Sequence, residues 1–199
     1  MEKETASLRW EGKKVAQVNG VTAEQIWSVV SDFCNIHKWL PTIDTCYRVE
    51  GTDGQPGLVR YCTSTKTKDD EETKWARERL VKIDPVERCL SYEVLENNVG
   101  FRSYVATVKV TTVDGGDESD GGKVCLLEWS FASDPVDGWK KEDLESFVDF
   151  FLKHWASKME MNLGVFSHLL QPRHSGERSF FAPRVATSEV LQFLLSGAL

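Results

Sequence analysis

The sequence lacks the features that would place the chain in a membrane, a disulfide scaffold or a nucleic-acid complex. No stretch approaches the ~18 apolar residues that cross a bilayer, so we expect no membrane span. The five cysteines are scattered, odd in number and never spaced C-x-x-C, which argues against a disulfide framework and a zinc site. The formal net charge is -7, and no basic stripe follows any predicted element, so nucleic acid is not an expected partner.

Two further absences concern location and cofactors. Residues 1–14 are charged and contain no apolar segment like that of a secretory signal. Scattered cysteines of this kind are typical of reduced, buried thiols, and both observations predict a cytoplasmic protein. The segment GTDGQPG (51–57) is a turn rather than a phosphate-binding G-x-G-x-x-G loop. We therefore predict that the protein uses no metal and no cofactor.

What the chain does contain is enough apolar material for one domain of ordinary size. It has 199 residues, of which 41% are hydrophobic and 11% aromatic, so it can bury a sizeable core. We assign the domain to residues 1–171. Residues 172–199 include a loop-like stretch, HSGERS, and are predicted to be a flexible C-terminal tail.

The N-terminal part of the chain predicts one strand followed by two short helices. Residues 9–18 are typical of a strand. Thr22 and Gln25 form a capping-box pattern that opens a helix over residues 22–33. A second helical segment, NIHKWL, ends at Pro41, because the residue before a proline disfavours the helical conformation.

The rest of the chain predicts a strand-rich region and then one long helix. Apolar residues at helical spacing place that helix from about Lys141 to Leu169. The preceding region predicts six strands, at 44–51, 57–68, 72–83, 88–96, 101–113 and 123–132. With the first strand, this order predicts an α+β fold in which a curved antiparallel sheet of about seven strands closes over the long C-terminal helix.

Two single charges occupy positions where the apolar wall of a cavity is expected. Alternation places Arg60 on one face of its strand with Leu58 and Cys62, and it places Glu78 with Leu80 on one face of the next strand. If both faces point inward, a guanidinium and a carboxylate meet inside the protein. Because such a pair is costly to desolvate, it is either a structural ion pair, a pair at a wet cavity mouth, or part of a functional site.

Several local motifs carry a resemblance to a known family. The chain resembles the START-like helix-grip superfamily, the fold of birch pollen allergens and abscisic acid receptors, and within it the lachrymatory-factor synthase-like plant proteins. The resemblance covers roughly residues 9–168. The matching stretches are NIHKWLP (35–41), RVEG (48–51), VRY (59–61), WARERLVKID (75–84), GFRSYVAT (100–107), EWSF (128–131) and LKHWASKM (152–159).

The resemblance implies a catalytic trio of Arg60, Glu78 and Tyr104. Arg60 would stabilise charge on oxygen, Glu78 would relay a proton, and Tyr104 would orient the substrate in the isomerisation of an alkenyl sulfenic acid to a thial S-oxide. Phe101 stands where a tyrosine is expected and Val94 also lacks a hydroxyl, which changes the polarity of the pocket. The gate and latch strings of the abscisic acid receptors, Ser-Gly-Leu-Pro-Ala and His-Arg-Leu, do not occur.

We expect a cavity of a few hundred cubic ångströms between the sheet and the long helix. Its predicted substrate-binding residues are Leu58, Leu80, Tyr92, Phe101, Leu127, Trp129, Phe151 and Trp155. His37 and His154 are weaker candidates for acid–base chemistry, because neither lies on a predicted inward face.

Two function classes remain open. The first is a lachrymatory-factor synthase-like isomerase or lyase that acts on a small apolar substrate without a cofactor. The alternative is a non-catalytic binding or carrier protein for a hydrophobic metabolite or hormone-like ligand. The helix-grip fold alone does not choose between them.

Overall fold

The computed structural model describes residues 9–65, 72–113 and 124–164, so the predicted tail at 172–199 lies outside the described residues. Within these ranges one seven-stranded sheet has the order β1-β7-β6-β5-β4-β3-β2, and every pairing is antiparallel. The elements are β1 (Trp10–Asn19), α1 (Ala23–Val30), a 3₁₀ helix (Phe33–Lys38), β2 (Ile43–Glu50), β3 (Val59–Ser64), β4 (Trp75–Asp84), β5 (Cys89–Asn97), β6 (Val105–Thr112), β7 (Val124–Ser133) and α2 (Lys141–Leu163).

The observed architecture confirms the predicted α+β fold. Helix α2 packs against β1 and β7 and buries one apolar stripe, which includes Leu144, Val148, Leu152 and Met159. The inward residues of the sheet alternate with less buried ones, as in β7, where every second residue is buried. The core therefore lies between the concave face of the sheet and the helices. Among the described residues, no helix is long and apolar enough to span a membrane.

The capping box predicted for α1 is present. The Thr22 hydroxyl accepts the backbone N–H of Gln25 at 3.2 Å, and the Gln25 side chain accepts the backbone N–H of Thr22 at 2.9 Å. The helix ends at Val30 rather than at the predicted residue 33, because Asp32 leaves the helical conformation. The chain then forms the 3₁₀ helix, which brings the Phe33 carbonyl beside the sheet.

Strand β6 starts four residues later than predicted, at Val105. Gly100 and Ser103 both have positive φ angles, +100° and +49°, which a regular strand does not accommodate. Asn97 stabilises this loop, because its side-chain oxygen accepts the backbone N–H groups of residues 99–101 at 2.8–3.0 Å. The loop positions the aromatic residues that precede β6.

Helix α2 ends at Leu163, six residues before its predicted end at Leu169. Gly164 adopts an extended conformation while its N–H still bonds to the Glu160 carbonyl. A Cβ at position 164 would lie 2.5 Å from that carbonyl oxygen, so the close approach requires glycine. The Glu160 carboxylate also accepts both the backbone and the side-chain N–H of Asn19, which ties the end of α2 to the end of β1.

Candidate functional site

A cavity of about 140 Å³ lies between the inner face of the sheet and α2. It is smaller than the few hundred cubic ångströms expected. The reason is that large rings pack against one another around it: Tyr104 contacts Phe101, Tyr92 and Phe131, and Phe147 contacts Phe101 and Phe151. The predicted site residues that line the cavity are Arg60, Glu78, Tyr92, Phe101, Tyr104, Trp129 and Phe151.

Four predicted substrate-binding residues do not line this cavity. Leu58, Leu80, Leu127 and Trp155 are each no more than 4% exposed and belong to the hydrophobic core. Alternation identified the inward faces of the three leucines correctly, and helical spacing did so for Trp155, but the inward faces of the sheet and of α2 are larger than the cavity. These residues therefore support the cavity from the surrounding core rather than contact its contents.

Arg60 and Glu78 are direct cross-strand partners in β3 and β4, as their sequence positions predicted. Nε and Nη2 of Arg60 both lie 2.6 Å from the same carboxylate oxygen, Oε2 of Glu78. The Arg60 side chain is 5% exposed and that of Glu78 is 14% exposed. The pair is therefore largely removed from water, and both of its members line the cavity.

The 3₁₀ helix holds Arg60 from the other side. Nη1 donates to the Phe33 carbonyl at 2.5 Å, and the guanidinium carbon lies 3.8 Å from the centre of the Phe33 ring. Burial disfavours the arginine charge while the Glu78 carboxylate favours it, and the net pKa of Arg60 lies above its ordinary value. Arg60 is thus a fixed cation whose three nitrogens are all engaged.

One oxygen of Glu78 remains available. Both contacts from Arg60 use Oε2, and among the described residues no hydrogen bond reaches Oε1. Arg60 therefore fixes the carboxylate and leaves one acceptor beside the cavity. In a chamber walled mostly by rings and aliphatic groups, that oxygen is a strong attachment point for a hydroxyl or amine of a bound molecule.

Trp129 supplies a hydrogen-bond donor, whereas Glu78 supplies an acceptor. Its side chain lines the cavity, and its buried indole N–H makes no well-formed hydrogen bond, although it lies close enough to the Tyr104 hydroxyl to lower the pKa of that group. A buried donor without a partner costs free energy, which an acceptor on a bound molecule would recover. Burial raises the pKa of Tyr104, and nearby Trp129 and Tyr92 offset this only in part. The Tyr104 hydroxyl consequently keeps its proton at neutral pH.

The structure reveals features that the sequence analysis missed. Ile36 and Leu40, at and just beyond the 3₁₀ helix, line the cavity, and their spacing of four residues was the available signal. Cys62 also lines it, and its Sγ lies 2.8 Å from that of Cys46. No spacing rule could have identified this pair, because the two cysteines belong to different strands.

His37 and His154 do not lie with the predicted trio of Arg60, Glu78 and Tyr104. His154 bonds through Nδ1 to the Phe150 carbonyl one turn earlier in α2, and the buried Nδ1 of His37 has no hydrogen-bond partner. Neither residue lines the cavity. In the part of the chain that the structure describes, no group of three or more His, Cys, Asp or Glu residues could hold a metal ion.

Comparisons with known proteins bear on the whole domain. The model of a family described as "Polyketide cyclase / dehydrase and lipid transport" matches residues 9–160. The chain is 27% identical over 110 residues to MLP-like protein 31 of Arabidopsis thaliana, a match that covers 54% of this chain and 58% of that relative. The chain therefore spans little more than half the length of this curated relative.

Two solved structures resemble the fold. Ginseng major latex-like protein 151 from Panax ginseng has a TM-score of 0.59 at 21% identity, covering 77% of this chain and 98% of that one. The protein XoxI from Bacillus cereus has a TM-score of 0.58 at 20% identity, covering 77% and 94%. At these identities the likeness concerns the fold alone. The narrower resemblance to lachrymatory-factor synthases stays a prediction.

Proposed function

The chain belongs to the polyketide cyclase/dehydrase and lipid transport family, and from this premise we propose that its cavity binds a small, mostly apolar molecule that carries a polar group. The observation that carries the proposal is the free oxygen of Glu78 beside a cavity lined largely by rings and aliphatic side chains. Apolar walls supply affinity by excluding water, and a few fixed polar atoms set the orientation of the ligand.

The cavity volume limits the size of the ligand. A cavity of about 150 Å³ accommodates a molecule such as benzene, and the observed volume is about 140 Å³. A ligand with on the order of six to ten non-hydrogen atoms fits without rearrangement of the aromatic walls. Larger lipids would need the rings of Phe101, Phe147 and Phe151 to move apart.

Two of the polar groups that line the cavity, those of Glu78 and Trp129, constrain the chemistry of the ligand. Oε1 of Glu78 accepts a hydrogen bond, whereas the indole N–H of Trp129 donates one. A small hydroxylated compound satisfies both kinds of group, because a hydroxyl donates and accepts. Alcohols and phenols are therefore favoured over hydrocarbons of the same shape.

Isothermal titration calorimetry with phenol and toluene tests this proposal, because the two molecules have nearly the same shape. We expect phenol to bind the wild-type protein about 30-fold more tightly, the equivalent of two net hydrogen bonds of roughly 1 kcal/mol each. Glu78→Leu should reduce this preference to about fivefold while toluene binding persists. Failure of both probes to bind, or equal affinity for both, would overturn the proposal.

Catalysis is a second candidate, favoured by the way Arg60 immobilises Glu78. A carboxylate with one oxygen fixed and the other free is suited to accept a proton from an acidic hydroxyl and to return it elsewhere on the same molecule. For an alkenyl sulfenic acid, Glu78 would take the S–OH proton and deliver it to carbon, so no atom is gained or lost. Such a substrate also fits the small cavity.

In this mechanism we assign Arg60 a positioning role, because its Nε, Nη1 and Nη2 are all engaged by Glu78 and Phe33. The Tyr104 hydroxyl, which keeps its proton, would orient the substrate oxygen. An isomerase assay with a freshly generated sulfenic acid tests the step. Glu78→Gln should slow turnover by roughly 100-fold or more while phenol affinity changes much less. Equal turnover by the variant would exclude Glu78 as the proton carrier and leave the binding proposal intact.

A further inference from the structure

Two buried cysteines of neighbouring strands are placed for reaction with each other. Cys46 in β2 and Cys62 in β3 are register partners, and their side chains are directed to the same side, since their Sγ atoms lie 2.8 Å apart. A disulfide bond measures about 2.05 Å. The two sulfurs therefore need to approach by less than about 1 Å, which side-chain rotation can supply without displacement of either strand.

The protonation of the pair favours reaction. The Cys62 thiol donates its hydrogen to Cys46 Sγ, and this hydrogen bond lowers the pKa of Cys46 while it raises that of Cys62. By contrast, burial raises the pKa of Cys34 to about 11. The thiolate is the reactive form of cysteine, so the pair holds the better nucleophile although Cys34 is more exposed.

The cavity gives a small reagent access to the pair. Both cysteines are less than 10% exposed, so a large thiol such as glutathione is hindered. Cys62, however, lines the cavity, and transfer of the shared hydrogen to ionised Cys46 makes Cys62 the thiolate that a molecule the size of hydrogen peroxide meets there. The same position explains why the reaction would be selective, since Cys125 donates to the Val21 carbonyl in the core and does not line the cavity.

We propose that Cys46 and Cys62 form an oxidation-sensitive dithiol that closes to a disulfide when a small peroxide enters the cavity. The two S–H bonds and the O–O bond of the peroxide break, and one S–S bond forms. For hydrogen peroxide, the sulfurs together lose two electrons, the two oxygens gain them, and the two thiol protons leave on those oxygens as two molecules of water. A small thiol reductant such as dithiothreitol reverses the reaction by thiol–disulfide exchange.

The disulfide would link β2 to β3 beside Arg60. It closes the loop between residues 46 and 62, which restricts the unfolded chain more than the folded one. For a loop of this length and a domain of this size, the melting temperature should rise by roughly 5–10 °C. The inference does not depend on the identity of the ligand or on catalysis.

The test treats the full-length protein with hydrogen peroxide and maps the linked peptides by mass spectrometry. We expect one product that has lost two hydrogen atoms, with Cys46 joined to Cys62, and a higher melting temperature that dithiothreitol reverses. Cys125→Ser, which removes another buried cysteine, should behave like wild type. Cys46→Ser should form no bridge at position 62 and show no rise in melting temperature.

Two results would overturn the proposal. One is a folded, peroxide-treated wild-type protein in which Cys46 and Cys62 stay reduced. The other is a bridge that joins either cysteine to Cys34, Cys89 or Cys125 instead. Both results are read from the wild-type protein, so they remain decisive even if a serine variant folds poorly.

Discussion

Trp129 and Trp155 lie edge to face, with ring centroids 6.3 Å apart, and each has a buried indole N–H that makes no well-formed hydrogen bond. Only Trp129 lines the cavity. Both indole N–H groups therefore lack a well-formed hydrogen bond, but only that of Trp129 can gain one from a molecule bound in the cavity. This difference provides a matched pair of substitutions for the binding proposal.

The first prediction concerns this pair. Trp129→Phe should weaken phenol binding by about 5–10-fold, because it removes one hydrogen-bond donor from the cavity. Trp155→Phe should change phenol affinity by less than about twofold, although both substitutions remove similar volume from the core. Isothermal titration calorimetry measures both effects. An equal loss in the two variants would mean that core packing, and not the N–H of Trp129, governs affinity.

The second prediction concerns the stability of the buried ion pair. Glu78→Leu leaves the Arg60 charge buried without its partner, which should lower the free energy of unfolding by about 3 kcal/mol, near the lower end for such pairs because Glu78 retains some exposure. Adding Arg60→Met should recover part of this loss, since the uncompensated charge is removed. Urea unfolding of the two single variants and the double variant measures the coupling. If the loss of unfolding free energy in the double variant equals the sum of the losses in the two single variants, the ion pair contributes little.

The sequence was sufficient to predict this ion pair because strand alternation fixes which face a residue occupies. Assigning Arg60 and Glu78 to the correct strands, in approximate register, was enough to predict that they meet. The same rule placed Leu80 and Leu127 inward, yet it could not tell which inward residues reach the cavity. That depends on how the rings of Phe101, Tyr104 and Phe147 fill space, which is a property of three-dimensional packing.

Two other parts of the structure could not be predicted from sequence patterns, for different reasons. The late start of β6 depends on the positive φ angle of Ser103, a conformation that serine adopts only when surrounding contacts impose it. Here the Ser103 hydroxyl donates to Asp134 and its carbonyl accepts from Arg9, residues far away in sequence. The Cys46–Cys62 contact likewise depends on the register of β2 against β3, which contains irregularities on both sides of the pair.

The third prediction uses the alternation of β5 to test where ligands bind. Val94 lines the cavity and lies opposite Glu78, whereas Leu95 is 38% exposed. Val94→Phe should occupy part of the cavity and weaken phenol binding at least tenfold, at a cost in stability of about 1–3 kcal/mol from overpacking. Leu95→Phe adds a ring one residue further along the same strand and should leave binding unchanged. Similar phenol affinities for the two variants would place the binding site outside the cavity.

The last prediction concerns the pH dependence of stability, through the contact between α2 and β1. Glu145 lies 2.8 Å from the Lys14 ammonium and 3.7 Å from that of Lys141, and the hydrogen bond from Lys14 is the main reason that the pKa of Glu145 lies below its usual 4.5. Because the folded pKa is below the unfolded value, the contribution to stability is complete above pH 4.5 and is lost as the pH falls through the lower, folded value.

An exposed pair of this kind contributes at most about 1 kcal/mol. Glu145→Gln should therefore lower the melting temperature by up to about 4 °C at pH 7, and this difference should shrink as wild-type Glu145 becomes protonated in acid. A difference between Glu145→Gln and wild type that stays constant from pH 7 to pH 3 would mean that the contact with Lys14 does not contribute through its charge.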